Sequence, residues 1–267
     1  MMKDLRKVKG LMKKVWLLAF FLFLARDCMA ASIMQQMDVR IGIFDAAHIA
    51  FNYNNDNARY AIGATVKTAN FFNSLYPFSA TYESKGSLVE NKFKPEVYQT
   101  QSKTRNHVRG KTIFYNKDGI AYKKKTFKDK KNKETAILGV SKTADAGDMQ
   151  TIFAILIQQF ASQNTCSLVR EVHDGKKHYK VHATDNGLQK RYFDYLQKEE
   201  KAHLCTIFIE NLADNNDNVL WEVSAEKPIK MWVKKDDKTQ MPFILEIGID
   251  STPLGALRAT PVINEKK

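Results

Sequence analysis

Alternation of apolar with mainly polar or small side chains is the feature of this sequence that most limits its fold. It runs through residues 60–67, 229–234 and 243–250. Successive side chains of a β-strand point to opposite faces, so a period of two indicates strands with one buried and one solvated face. Turn sequences separate such runs: Asn-Lys-Asp-Gly at 116–119, Asp-Gly at 174–175 and Asp-Asn-Gly at 185–187. The pattern predicts an all-β, mainly antiparallel domain of about ten strands.

One segment has a helical period instead. Its large apolar residues fall at positions i, i+3, i+4, i+7, i+8 and i+11: Met149, Ile152, Phe153, Leu156, Ile157 and Phe160. This spacing predicts an amphipathic helix with Asp148 as its N-cap. The apolar face of this helix has to be buried, so we expect the helix to lie on the concave face of a curved sheet. A shorter helical turn is predicted over 70–75, ended by Pro77.

The first thirty residues have the pattern of a secretory signal peptide. Six Lys or Arg residues between positions 3 and 14 precede an apolar run at 15–25, and Ala30 and Ala31 are small residues of the kind that a signal peptidase recognises. The run has about eleven residues, whereas a membrane-spanning helix needs roughly twenty. We therefore expect a cleavable signal peptide over 1–30 and a single β-rich domain over 31–267, located in the periplasm.

Two alternatives remain for this N-terminal segment. It could stay attached as a membrane anchor, or it could be a lipoprotein signal in which Cys28 carries the lipid. Arg26 and Asp27 stand immediately before Cys28, where a lipoprotein signal requires small and apolar residues. Lipidation is therefore disfavoured, and in either alternative the protein would be anchored to the membrane.

The charge of the chain favours anionic partners. Removing residues 1–30 removes seven of the 42 basic and two of the 29 acidic residues, which leaves 35 and 27, a net charge of +8. Such an excess favours phospholipid headgroups or lipopolysaccharide, although it is also typical of a charge that serves only solubility. Residues 123–145 are rich in lysine and predict an exposed loop, either a patch for anionic surfaces or the solvated end of a hairpin with a linker.

Two cysteines, Cys166 and Cys205, remain in residues 31–267. An even number in an oxidising compartment predicts a disulfide. The closed loop of about forty residues would stabilise the fold by roughly 4 kcal/mol in the chain-entropy model. Two buried free thiols are the alternative.

The sequence contains few arrangements typical of catalysis. His178 and His182 follow a turn and lie in a strand-like segment, where residues i and i+4 are about 13 Å apart and cannot bind one metal ion. Gly110-Lys111-Thr112 lacks the earlier glycine of a phosphate-binding loop, and no Gly-x-Ser-x-Gly sequence occurs. We expect no catalytic residues, no metal and no cofactor.

A group of apolar residues is the candidate binding face. It comprises Phe71, Phe72, Leu75, Ile152, Phe153, Leu156 and Phe160. These side chains would line a cavity for a lipid or acyl chain, or they would fill an ordinary core. The sequence does not distinguish a lined cavity from a packed interior.

The chain resembles the exported bacterial domain-of-unknown-function family 3108 from about Asp38 to Val262. The pieces that carry the resemblance are Leu-Tyr-Pro-Phe at 75–78, Tyr-Glu-Ser-Lys-Gly at 82–86, Lys-Pro-Glu-Val-Tyr at 94–98, Tyr-Asn-Lys-Asp-Gly at 115–119, the hairpin at 172–179 after Cys166, the strand beginning at Cys205, and the closing hairpin at 231–255. The chain departs from the family at the start of the long helix and at His173. The resemblance implies a curved, partly open β-barrel with a covering helix, similar to LolA/LolB-like lipoprotein carriers, and it implies no catalytic residues.

Three functions follow as hypotheses. The first is a non-enzymatic periplasmic envelope protein that binds a lipid or other amphipathic ligand inside the curved sheet, and that associates with membranes only peripherally or through an uncleaved signal. The second is a structural or protein-interaction domain of the envelope with a filled core and a protein partner. The third, an envelope hydrolase, has the least support. Nucleic acid is not an expected partner, and the sequence does not determine the oligomeric state.

The N-terminus provides the first test. We expect the exported protein to begin at Ala31, because small residues precede that position after a short apolar run. N-terminal sequencing of protein from the envelope fraction measures this directly. A lipid-modified Cys28 at the N-terminus, or an intact Met1, would contradict the prediction.

Overall fold

The described residues form a single antiparallel sheet of fourteen strands with one main helix. The computed structural model describes residues 31–56, 58–137, 147–173, 178–212 and 223–262, so the predicted signal peptide and the 174–175 turn lie outside the described residues. The strands are β1 (Ala31–Ile41), β2 (Phe44–Asn55), β3 (Arg59–Thr68), β4 (Phe78–Val89), β5 (Lys92–Thr104), β6 (Val108–Tyr115), β7 (Ala121–Lys128), β8 (Lys131–Ala136), β9 (Leu168–His173), β10 (His178–Phe193), β11 (Lys198–Asn211), β12 (Ile229–Lys235), β13 (Pro242–Thr252) and β14 (Gly255–Pro261). The helices are α1 (Asn70–Leu75), α2 (Met149–Gln163) and a 3₁₀ turn at Asp194–Leu196.

Pairing of the first and last strands unites the two halves of the sheet. The order is β8-β7-β6-β5-β4-β3-β2-β1-β14-β13-β12-β11-β10-β9, with β1 hydrogen-bonded to both β2 and β14. Within the described residues, β8 and β9 are edge strands and the sheet does not close. Every other neighbouring pair is consecutive in the chain, so the fold is a meander in two segments that are joined at β1 and β14.

The predicted count of about ten strands was wrong, because polar strands were not recognised. The lysine-rich segment predicted as a loop contains most of β7 and all of β8, and its residues 138–145 lie outside the described residues. Lys123 Nζ lies 4.7 Å from the centre of the Phe114 ring, and Glu134 lies 3.5 Å from Lys123 and 3.2 Å from Lys125. The lysine stems thus cover an aromatic ring while their charges pair across strands, which is compatible with a solvated edge hairpin.

The Asp-Asn-Gly sequence at 185–187 is a bulge inside β10 rather than a turn between strands. The pairing of β10 with β11 shifts register between Asp185 and Leu188. Gly187 has a φ of 79°, a left-handed conformation that glycine adopts without steric cost. The Asn186 side chain donates to the carbonyl oxygen of Leu204 at 3.2 Å and so replaces part of the interrupted ladder. A turn signal can therefore also mark a bulge in one long strand.

The sheet curves around helix α2. This helix contacts β3, β4 and β5 as well as β9 and β13. On a flat sheet, β5 and β9 would be roughly 48 Å apart at about 4.8 Å per strand. A helix of fifteen residues is only about 22 Å long. One helix can contact both strands only because the sheet bends and encloses it on its concave side.

Helix α2 is buried on two sides. Ile152, Leu156 and Phe160 belong to a cluster with residues of β9 to β12, including Val172 and Val233. Ala154 and Ile157 belong to a second cluster with Tyr53, Tyr60, Ile62 and Phe93 of β2, β3 and β5. The sequence spacing predicted a single apolar face, whereas the short Ala154 side chain lets the helix approach the opposite wall as well.

The disulfide between Cys166 and Cys205 is confirmed. It joins the segment directly after α2 to β11, and its Cα atoms are 6.1 Å apart. Both cysteines are fully buried within the cluster that holds Ile152, Leu156 and Phe160. The bond therefore fastens the end of the helix to the second half of the sheet.

The short helix α1 lies where β2 begins and β3 ends, opposite the β2–β3 turn, and it contacts both strands. It begins after Ala69 and ends before Pro77, as the sequence predicts. Neither α1 nor α2, the helices of the described part of the chain, has the length and apolar character to cross a membrane.

Removing the disulfide is expected to weaken the fold strongly. In the chain-entropy model, the double variant Cys166→Ala/Cys205→Ala should lose roughly 4 kcal/mol of unfolding free energy, because its unfolded chain is no longer cross-linked. Urea unfolding of the oxidised protein and of the variant measures the difference. The reduced wild-type protein is the matched control and should unfold close to the variant; equal stability of oxidised protein and variant would contradict the prediction.

Candidate functional site

An apolar cavity of about 340 Å³ lies between α2 and the concave face of the sheet. Five strands of the first half, β1 to β5, and two of the second half, β12 and β13, form its wall, and α2 covers it. The lining residues are Gln35, Met37, Ile49, Phe51, Ala64, Val66, Tyr82, Tyr98, Met149, Gln150, Phe153, Leu156, Ile157, Phe160, Cys166, Met231, Val233, Pro242, Ile244 and Ile247. Its volume lies within the range typical of small-ligand sites.

Strand alternation builds the wall of the cavity. Met37 on β1 pairs with Ile49 on β2, which pairs with Val66 on β3, so these three side chains lie side by side on one face. Ala64 is the next residue of β3 on that face, and its methyl group leaves space that a larger side chain would fill. The cavity thus occurs where small side chains of the sheet face α2, whose other contacts with both halves of the sheet fix its position.

The amide of Gln35 lines the cavity but is occupied by the backbone of β13. Its Nε2 donates to the carbonyl oxygen of Ile244 at 2.5 Å, and its Oε1 accepts from the Ile244 N–H at 3.2 Å. Strand β14 ends at Pro261, which pairs with Met37, so Gln35 lies just beyond the end of β14. Its side chain therefore takes the place of a strand backbone between β1 and β13.

The rest of the lining has no charged group among the described residues. Burial raises the pKa of the Tyr82 hydroxyl, so this phenol stays neutral in the cavity wall. An ionic ligand would lose its hydration in such a site without gaining a partner. The lining therefore fits an uncharged, apolar group.

A buried polar network fixes the N-terminus of α2. Asp148 is fully buried and caps the helix, accepting from the Thr151 N–H at 3.0 Å, the Thr151 hydroxyl at 2.9 Å and the Ser84 hydroxyl at 3.0 Å. The Tyr60 hydroxyl lies 2.9 Å from Thr151 Oγ1. Burial raises the pKa of Asp148 to about 6, although the hydrogen bonds from Thr151 and Ser84 act in the opposite direction. The network joins the helix to β3 and β4.

A second polar group caps the other end of α2. Asn164 has a left-handed φ of 58°, and its side-chain amide lies 3.1 Å from His203 Nε2. His203 Nδ1 lies 3.2 Å from both carboxylate oxygens of Asp185. Burial alone would raise the pKa of Asp185, but the Gly187 N–H and His203 hold it below its usual value.

The His203 and Asp185 pair has the first two members of a hydrolytic triad but lacks the geometry of one. The Asn164 amide lies 3.1 Å from Nε2, the ring nitrogen that does not face Asp185. A triad needs a nucleophilic hydroxyl at that nitrogen. The imidazole instead completes the helix cap and contacts the Phe160 ring edge-on, with centroids 5.3 Å apart.

Comparison with known proteins identifies the family of this chain. The model of DUF3108, described as a protein of unknown function, matches residues 36–259. The chain belongs to the DUF3108 family. The resemblance inferred from the sequence motifs is thereby confirmed over nearly the same residues.

Among solved structures, this DUF3108 chain is similar to the crystal structure of a beta-barrel-like protein of domain of unknown function DUF1849 from Brucella abortus. The two have 9% identical residues and a TM-score of 0.47, and the alignment covers 88% of this chain and 96% of that chain. No curated protein matches the chain.

The candidate residues on the long helix divide between the cavity and the core. Phe153, Leu156 and Phe160 line the cavity, whereas Ile152 does not. Leu156 and Phe160 also belong, with Ile152, to the cluster on the β9 to β12 side. Spacing alone places all four side chains on one face of the helix. It does not specify which of them contact the sheet and which line the cavity.

The candidate residues on the short helix lie outside the cavity lining. Phe72 packs into a third cluster with Met37, Val39 and Ile41, while Phe71 and Leu75 are exposed. Most of the wall instead comes from strand residues that sequence reasoning did not select. The alternation at 60–67 did indicate that Ala64 and Val66 share a face, and this signal could have found two of them.

His178 and His182, which the sequence predicted could not bind one metal ion, each lie next to a different glutamate. His178 Nε2 is 3.3 Å from Glu171, and His182 Nε2 is 2.8 Å from Glu210. Among the residues that the structure describes, no group of three or more His, Cys, Asp or Glu side chains could hold a metal ion.

Asp148 provides a pH test of the helix anchor. Between pH 4 and 6 the unfolded chain has released the proton of this carboxyl while the folded protein still holds it, so the contribution of Asp148 to stability falls as pH rises. Relative to Asp148→Asn, which does not titrate, the wild-type protein should lose stability of the order of 2 kcal/mol between pH 4 and 7. Denaturant unfolding of both proteins across this range gives the difference; a constant difference would contradict the raised pKa.

Proposed function

We propose that this chain is a non-enzymatic periplasmic envelope protein that holds an apolar or amphipathic ligand, such as a lipid acyl chain, beneath α2. The observation that carries the proposal is the cavity of about 340 Å³, whose lining is apolar and uncharged. Burying each methylene of an acyl chain there is worth about 0.8 kcal/mol before the costs of binding are subtracted. A headgroup would remain outside, since the lining offers charges no partner.

The proposal includes the architecture expected from the sequence resemblance. The curved sheet would act as a partly open barrel, in which α2 covers the concave side and leaves part of the interior empty. Interiors are normally packed to the density of organic crystals, so an empty space of this size is unusual in a core that serves stability alone. This argument favours a lined binding cavity over a filled core.

The second candidate is a structural or protein-interaction domain. It is favoured by large apolar side chains that are exposed on α1 and on neighbouring turns. The enzymatic alternative has less support, because Asn164 occupies the histidine nitrogen that a nucleophile would need.

Filling the cavity tests the proposal. Val66→Trp places a bulky ring in the cavity, so binding of dansyl-labelled undecanoic acid, followed by its fluorescence, should be lost. Lys67→Trp is the matched control: the adjacent side chain is exposed on the opposite face of β3, and this variant should bind the probe as the wild type does.

Native mass spectrometry of protein purified from the envelope fraction complements this assay, and we expect a co-purified lipid that Val66→Trp lacks. Near-UV circular dichroism establishes that both variants are folded. A wild-type protein that binds neither probe nor lipid, or a folded Val66→Trp protein that binds both, would overturn the proposal.

A further inference from the structure

Six large apolar side chains are exposed together at one end of the sheet. Ile43 belongs to the β1–β2 turn, and Phe44 is the first residue of β2. Leu254 belongs to the β13–β14 turn, and Phe71, Leu75 and Tyr76 belong to α1 and the residue after it. Ile43 is 81% exposed, and Leu75, Tyr76 and Leu254 are each about 60% exposed. We call this group the apolar rim: Ile43, Phe44, Phe71, Leu75, Tyr76 and Leu254.

Strand register brings these segments to the same end. Ile41 pairs with Phe44 in β2 and with Leu257 in β14, so the two turns are neighbours. The Gly42 N–H donates to the Ala256 carbonyl oxygen at 2.9 Å. The Phe44 and Phe71 rings are stacked with their centroids 5.9 Å apart, which links the turn to α1. The rim is therefore one contiguous surface.

The core does not require the rim. Phe72 supplies the contact of α1 with the interior, packing against a cluster that includes Met37 and Ile49. Phe71 and Leu75 point outward from the same six-residue helix. Scattered exposed apolar residues are normal on a soluble surface, whereas a contiguous group is typical of an interaction site.

Basic residues lie at the same end of the sheet as the rim, on the side of β3 to β8. Arg105, in the β5–β6 turn, donates to the Ser74 carbonyl oxygen of α1 at 3.0 Å. The same strand ends and turns carry further exposed lysines. We call this set the basic flank: Lys67, Lys103, Arg105, Lys128, Lys130 and Lys131.

Three described carboxylates at this end already have an arginine or an imidazole as a partner. Asp45 lies 3.5 Å from Arg40, and Asp250 lies 2.8 Å from Arg258. Asp129 lies 3.1 Å from His107. The basic flank therefore gives this end of the sheet a positive charge around an apolar centre.

We propose that this end of the sheet docks on an anionic lipid bilayer, with the apolar rim inserted at the headgroup boundary and the basic flank on the headgroups. Apolar insertion and electrostatic attraction act together in such binding, and either one alone gives weak attachment. The rim consists of turns and one short helix rather than a groove. A bilayer accepts separate protruding side chains, whereas a protein partner needs a complementary shape.

The rim is also continuous with the cavity. Phe72 contacts Phe44 and Phe71 with ring centroids about 6 Å away, and its cluster includes Met37, Ile49, Ile244 and Ile247, which line the cavity. Docking would thus bring the cavity next to the acyl chains of the bilayer. The idea that a ligand enters the cavity at this end rests on the proposed function. The docking surface itself is inferred from the apolar rim and the basic flank alone.

Vesicle flotation tests the docking surface. Residues 31–267 form a compact unit that contains all the buried clusters, so the experiment uses this unit, without the apolar segment at 15–25. The wild-type unit should float with vesicles of phosphatidylethanolamine and phosphatidylglycerol, less with phosphatidylcholine alone, and less as salt is added.

Two variants separate the parts of the surface. Phe71→Ser/Leu254→Ser should weaken vesicle binding by about tenfold or more, because it removes two inserted side chains. Lys130→Glu/Lys131→Glu should weaken binding to anionic vesicles and leave the weak binding to phosphatidylcholine unchanged. Leu188→Ser is the matched control, since Leu188 is equally exposed on β10 far from the rim, and it should bind as the wild type does.

The outcomes distinguish this inference from the cavity proposal. Phe71→Ser/Leu254→Ser should still bind the dansyl probe, and Val66→Trp should still bind vesicles. A wild-type unit that does not float, or a rim variant that floats equally well, would overturn the docking surface while leaving the cavity untouched. A wild-type dimer that the rim variant converts to monomers would also overturn it, by assigning the rim to a second copy of this chain.

Discussion

Helix α2 is attached at its two ends to opposite halves of the sheet, and the rest of the structure depends on this double attachment. At the N-terminus, Asp148 ties the helix to Ser84 of β4 and, through Thr151, to Tyr60 of β3. At the C-terminus, the bond from Cys166 to Cys205 ties it to β11. The helix is thereby fixed across the concave side of a sheet whose edges do not meet.

The fixed position of α2 explains how a core and a cavity coexist. Ile152 and Ala154 pack against opposite walls and bring the helix close to both. Where the sheet presents Ala64 and Val66, the helix cannot move closer to fill the space, because its ends are held. The side chains that line a cavity lose dispersion contacts, which destabilises the fold. The disulfide and the buried cap of α2 offset this loss. The same rigidity would keep a binding site formed in the absence of its ligand.

The pairing of β1 with β14 determines the position of the apolar rim, as the attachment of α2 determines that of the cavity. It places the β1–β2 and β13–β14 turns side by side, although more than two hundred residues separate them in the chain. Together with α1, they concentrate exposed apolar residues at one end of the sheet, next to the cluster that joins the cavity. The interior site and the exterior surface are thus two consequences of one strand order.

Local patterns in the sequence determined much of this fold. Alternation identified strands at 60–67, 229–234 and 243–250, and the 3.6-residue period identified α2 with Asp148 as its cap. Both are short-range properties of the chain, since each depends on where consecutive side chains point. The disulfide was predictable as well, because the two cysteines of residues 31–267 have a single way to pair.

Only the tertiary structure decided which of these elements meet. The polar strands β7 and β8 carry no apolar alternation, so the sequence did not indicate that they pair. In the structure, Lys123 of β7 lies over the Phe114 ring and pairs with Glu134 of β8. Phe71 and Phe153 look alike in the sequence, yet one is exposed at the rim and the other lines the cavity. That difference arises because a side chain's surroundings are set by strand order and by the curvature of the sheet, which join residues far apart in the chain and leave no mark in any local window of sequence.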